Sequence, residues 1–131
     1  MTVVVGYVPT PEGETALRAG VRAARELAMG LVVVNVESTR GARDPGESPG
    51  YLQELATVLQ ESRLPHTLLH PVGDFDASEE ILKAAEGHGA QLVVLGIRHR
   101  TPVGKLFLGS TAQRVLLEAD CPVLAVKAGQ A

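Results

Sequence analysis

Short, uninterrupted apolar runs alternate with amphipathic helical segments along almost the whole chain, and this restricts the fold more than any other feature. Val3–Val5 is β-branched and continuous. Leu31–Val36 and Gln91–Leu95 repeat the pattern, Thr67–His70 is a shorter run, and Val123–Lys127 is the last. Continuous runs, as opposed to strict polar/apolar alternation, mark strands covered by helices on both faces.

The intervening segments carry helix signals. Thr10 suits an N-cap, Pro11 the first helical position, and Glu12 and Glu14 the positive end of the helix dipole. Leu17, Val21, Ala24, Leu27 and Ala28 then recur at helical spacing, with Gly30 as the expected stop. After a polar, Gly/Pro-rich loop from Glu37 to Gly50, a second helix is expected over Pro49–Ser62, with Leu52, Leu55, Val58 and Leu59 inward. Asp76-Ala77-Ser78-Glu79 resembles a capping box and opens a third, with Ile81, Leu82 and Ala85 on its inner face. A fourth spans Ser110–Ala119.

The resulting order, β-α-β-α-β-α-β-α-β, predicts an α/β fold: a doubly wound five-stranded parallel sheet with helices on both faces. Such sheets bind ligands outside the carboxyl ends of their strands. Gly6-Tyr7-Val8, Val36-Glu37 and Gly96-Ile97-Arg98 fall at those ends. The chain has 131 residues and no internal repeat or long linker, so residues 1–131 are expected to form one domain.

Composition narrows the partners. The apolar runs fall well short of the ~18 residues a membrane span needs, and no charged leader precedes the opening TVVV. The single cysteine, Cys121, cannot form an internal disulfide, and the cytoplasm is the expected compartment. A net charge of −3 with two Tyr, two Phe and no Trp argues against nucleic-acid binding. Positive charge is local, at Arg98, Arg100 and Lys105, which suits a small anion. This basic stretch lies between Gly96 at a strand end and Gly109-Ser110-Thr111 at a helix start, where free N–H groups and the dipole favour phosphate. Gly104-Lys105 is not a P-loop, because Leu106 stands where Ser or Thr is required. His66, His70 and His88 lack metal-ligand spacing, and no nucleophile elbow or paired-carboxylate signature is present. Cys121, before Pro122, reads as a structural thiol.

The chain resembles the universal stress protein family. Its loop pattern is Gly, two residues, Gly, nine residues, then Gly-Ser or Gly-Thr; Gly96 and Gly109-Ser110 fill its outer positions at that separation. The flanking LVVLG and ADCPVLAVK are also similar to family members, and the likeness spans nearly the whole chain. The resemblance implies a Rossmann-like, adenine nucleotide alpha hydrolase-like fold and a homodimer joined through Val123–Lys127. It implies a regulatory stress-response role in which ATP or another adenine nucleotide binds, with Mg²⁺ as a candidate companion, rather than turnover. Gly6, Tyr7, Val8 and Val36 would line the nucleoside end; Gly96, Arg98, His99, Gly109, Ser110 and Thr111 would surround the phosphates.

Two positions depart from the pattern. His99 replaces the middle glycine, although histidine tolerates left-handed backbone better than most residues. Val8 stands where ATP-binding members carry an acid, which removes a hydrogen-bond acceptor. Alternatives therefore stay open: a dimeric interaction module whose nucleotide site has decayed, a slow ATPase, or a flavin carrier, the last disfavoured by the scarcity of aromatics.

Overall fold

The computed structural model describes residues 1–37, 50–97 and 108–128. Their elements run β1 (Thr2–Tyr7), α1 (Pro11–Leu27), β2 (Gly30–Asn35), α2 (Tyr51–Ser62), β3 (His66–Leu69), α3 (Ala77–Gly87), β4 (Ala90–Ile97), α4 (Ser110–Glu118) and β5 (Val123–Lys127). The five strands are all parallel and lie in the order β3-β2-β1-β4-β5, the Rossmann-like arrangement expected.

The continuous apolar runs follow from two-sided burial. Successive strand residues point to opposite faces, yet Val3, Val4 and Val5 are all fully buried. Val3 and Val5 pack with Leu17 of α1 and Leu55 and Leu59 of α2. Val4 packs on the other face with Ile81 of α3 and Val115 of α4. Each such valine stabilises the fold by about 1.5–3 kcal/mol relative to an exposed one. A polar residue at any of them would be buried without a partner, whichever way it faced.

Strand order reverses between β1 and β4: the chain grows toward β3 on one side and toward β5 on the other. The connections that leave β1 and β4 therefore diverge to opposite faces, which opens a crevice above their carboxyl ends.

Several boundaries differ from the sequence expectation. Helix α1 does not run to Gly30. Ala28 takes the left-handed conformation, φ 56°, at its C-terminus. The N–H of Met29 bonds the Ala24 carbonyl at 2.9 Å and that of Ala28 the Arg25 carbonyl at 3.3 Å, the paired bonds of a Schellman ending. Gly30 instead starts β2 opposite Thr2, with its N–H bonded to the Met1 carbonyl. Ala28→Gly should therefore stabilise the protein by about 0.5–1 kcal/mol, since alanine pays for left-handed backbone and glycine does not. A higher urea midpoint at an unchanged m value is the expected readout. Val58 is not inward: it is 45% exposed, and the inner stripe of α2 is Leu52, Leu55 and Leu59. Strand β3 starts one residue earlier than Thr67, and β4 continues past Leu95 to Ile97.

Candidate functional site

A cavity of about 320 Å³ lies at the carboxyl ends of β1 and β4, where the strand order reverses. The β1 end contributes Gly6 and Val8, and Val36 follows β2. Leu95, Gly96 and Ile97 come from β4, Ala77 and Ile81 from α3, Glu12 from α1, and Gly109, Thr111 and Ala112 from the start of α4.

Glycine is required here by close approach. A Cβ on Gly96 would lie 1.9 Å from the carbonyl oxygen of Glu12, so the end of β4 touches the backbone of the first turn of α1. A Cβ on Gly13, one residue further along α1, would lie 1.7 Å from the Val8 carbonyl oxygen. At Gly6 the obstacles are side-chain tips, Ile81 Cδ1 at 2.8 Å and Leu95 Cδ2 at 2.9 Å, and both side chains line the cavity.

The start of α4 differs from those of α1 and α3. The Thr10 hydroxyl accepts from the Gly13 N–H, and the Asp76 carboxylate accepts from the Glu79 N–H. Gly109, by contrast, is extended at φ −69°, ψ 169° and offers no side-chain cap. The early N–H groups of α4 and the positive end of its dipole thus border the cavity without a side-chain cap. Such a helix end can take a phosphate or carboxylate oxygen. Among the described lining residues Glu12 is the one ionisable side chain, so it is also the only carboxylate there that could meet a cation. Val8, Val36, Ile81 and Leu95 make much of the remaining wall apolar.

Six of the residues singled out in the sequence meet in this cavity: Gly6, Val8, Val36, Gly96, Gly109 and Thr111. Ser110 is exposed beside it, at the first position of α4. The Tyr7 ring turns to the α1–α2 face and is 3% exposed. Arg98 and His99 lie outside the described residues, as do Arg100 and Lys105. Ala77, Ile81, Leu95 and Ala112 carry no such signal in the sequence, because each reads as an ordinary core position, and Ile97 is marked there only by its place at the β4 end. Glu12 reads in the sequence only as a complement to the helix dipole.

The family model described as the universal stress protein family matches residues 1–127. The chain belongs to the universal stress protein family. A universal stress protein of Mycolicibacterium smegmatis is 44% identical over 95% of this chain and 96% of its own length. Among solved structures, a universal stress protein from Archaeoglobus fulgidus is 27% identical with a TM-score of 0.78, over 97% of this chain and 98% of that one. Another, the universal stress protein from Archaeoglobus fulgidus in complex with dAMP, has a TM-score of 0.72 at 22% identity over 97% and 98% of the two chains.

In this universal stress protein a polar network braces the strand ends behind the cavity. The Tyr7 hydroxyl donates to Glu14, and the burial of Tyr7 together with that carboxylate pushes its pKa well above the ordinary tyrosine range. The Asn35 amide donates to the Tyr51 hydroxyl at 2.8 Å, and that hydroxyl donates to Glu37 at 2.6 Å. The two tyrosine rings lie 6.4 Å apart. Tyr7 sits between Gly6 and Val8, and Asn35 precedes Val36, so the network holds the backbone that presents those residues. Cys121 lies away from this end of the sheet, just before β5; burial first and Asp120 second raise its thiol pKa, which favours the protonated thiol over the thiolate. Among the described residues no helix is long and apolar enough to cross a membrane, and no three His, Cys, Asp or Glu side chains group as a metal site.

Proposed function

We propose that the β1–β4 cleft binds an adenine nucleotide, ATP or a relative, with Mg²⁺ as a candidate companion of a polyphosphate. The reading assigns regulatory binding, not turnover, to a single domain spanning residues 1–131, in a stress response. One observation carries it: a cavity at the switch point of a doubly wound sheet joins Gly6, Val8 and Val36 to Gly96, Gly109 and Thr111. The first three offer a nucleoside an apolar surface and close backbone approach. The others offer a phosphate free N–H groups, a hydroxyl and a helix dipole. Ser110 would add a second hydroxyl, and Arg98 and His99 would act from the segment outside the described residues. A fold relative solved with dAMP supports the class of ligand.

The test is calorimetry with adenosine, dAMP, cAMP and ATP, alongside mass spectrometry of gently purified protein for a nucleotide that co-purifies. Saturable binding of any of them sustains the proposal. The second reading is an interaction module with a decayed site, favoured by the presence of Val8, an apolar side chain, in the cleft wall. Absence of binding by all four ligands would decide for it.

Homodimer formation belongs to the same proposal. Strand β5 is at one edge of the sheet, with Leu124 on it 42% exposed. An apolar sheet edge invites pairing, and a two-fold axis through β5 would cover it. Val123 and Ala125 pack into the core, so Leu124→Lys is the variant that spares the fold. It should weaken the dimer about tenfold or more. Light scattering that finds the unmodified protein monomeric at micromolar concentration would remove the proposal.

A further inference from the structure

We infer that Arg114 is a positioning residue for the phosphate end of this cleft: by tying α4 to the capped start of α3, it holds the uncapped N–H groups of α4 where a phosphate would meet them. The inference rests on the nucleotide reading above.

Both helices begin at the cleft. Ala77 and Ile81 of α3 line one part of it and Thr111 and Ala112 of α4 another, while Arg114 is not among the lining residues. Helix α4 is short, Ser110–Glu118, and its buried residues are Ala112 and Val115. These join it to the apolar cluster that also holds Ile81 and Ala84 of α3. A polar tie is added from the middle of α4. The Arg114 guanidinium donates from Nη1 to the Ser78 hydroxyl at 3.2 Å. It also lies 3.7 Å from the Asp76 carboxylate and 3.8 Å from that of Glu79. Ser78 is 4% exposed, and its hydroxyl donates in turn to Asp76, the residue that caps α3. An arginine serving α4 alone would need only Glu118, one turn on, which Arg114 also meets at 3.2 Å. Asp76, Ser78 and Glu79 belong instead to the start of α3.

Charge-assisted hydrogen bonds weaken steeply with distance and angle, so a phosphate on the first turn of α4 depends on where that turn stands. Arg114 lies one turn beyond Ser110, and the helix's own hydrogen bonds carry a shift at Arg114 to that first turn. A single exposed ion pair contributes little. Here several acceptors converge on one planar guanidinium, and a buried hydroxyl sets its angle. Loss of the tie should therefore cost several-fold in affinity without abolishing binding.

The test is calorimetry with dAMP and adenosine on the parent protein and on Arg114→Met, Asp76→Ser and Glu118→Gln. Arg114→Met should weaken dAMP about fivefold and Asp76→Ser about threefold, with adenosine within about twofold in both. Serine caps a helix as well as aspartate does, so the start of α3 stays capped. The two variants remove charges of opposite sign. Charge acting through space would move dAMP affinity in opposite directions, whereas a positioning tie loses affinity when either end is cut. Combined, they should cost little more than Arg114→Met alone, because each breaks the same tie. Glu118→Gln, which removes only the pair within α4, should bind dAMP as the parent does, and this separates the tie from helix stability. Tighter dAMP binding by Asp76→Ser, unchanged binding by Arg114→Met, or an equal loss for adenosine would overturn the inference and leave the nucleotide reading standing. Failure of both ligands to bind the parent would remove both.

Discussion

Gly13→Ala is expected to destabilise the protein by about 3 kcal/mol, although alanine normally surpasses glycine within a helix by about 1 kcal/mol. The sign reverses because of what the new methyl would meet. Its Cβ would fall 1.7 Å from the Val8 carbonyl oxygen, 2.8 Å from the Val8 carbonyl carbon and 2.9 Å from the Val8 nitrogen. These are backbone atoms just beyond β1 and cannot rotate away as a side-chain tip can. Relief requires the first turn of α1 to move off the sheet, where Ala16 and Leu17 are buried against β1. For a chain of this length the loss corresponds to a fall in melting temperature of about 10 °C. Gly87, at the end of α3, is the control: no atom lies within 4 Å of its would-be Cβ. Gly87→Ala should gain up to about 1 kcal/mol. A Gly13→Ala protein that melts with the parent would mean that α1 is not seated on Val8 as described.

That contrast also explains how far the sequence could be read. Hydrophobic periodicity registers side chains, so it located the five strands and the Leu17, Leu55 and Ile81 faces of the helices. It is silent about residues with no side chain. Gly13 is buried in α1 because the Val8 backbone just beyond β1 comes close to it, and Gly20 because the Val5 side chain of β1 does, and nothing local in the sequence distinguishes them from Gly87. Gly30 reads as a helix stop by its type, whereas hydrogen bonding to the Ala24 and Arg25 carbonyls ends α1 at a left-handed alanine. Val58 fits the helical spacing of α2, but the helix meets the sheet along Leu52, Leu55 and Leu59 only. In the cleft, the loop glycines and the helix start were legible from spacing. Glu12 was not, because its place in the cleft depends on the crossing of α1 over β4, a tertiary contact between residues 84 positions apart in sequence, 96 − 12.

Gly109→Val is expected to weaken nucleotide binding about ten- to a hundredfold while leaving the fold intact. Gly109 lines the cavity immediately before α4, at φ −69° and ψ 169°. That conformation is open to any residue, so the substitution imposes no backbone strain. Its side chain instead occupies space next to the first N–H groups of α4. A phosphate held at a distance from them loses charge-assisted hydrogen bonds, each worth about 1.5–3 kcal/mol, and part of the dipole attraction. Gly109→Ala, with a single methyl, should lose less. The melting temperature without ligand should stay within about 3 °C of the parent's. Adenosine, which has no phosphate, should bind nearly as before. This ligand dependence separates a blocked phosphate position from general damage: an equal loss for adenosine and its phosphates would mean that Gly109 supports the whole cleft, and undiminished phosphate affinity would move the anion elsewhere.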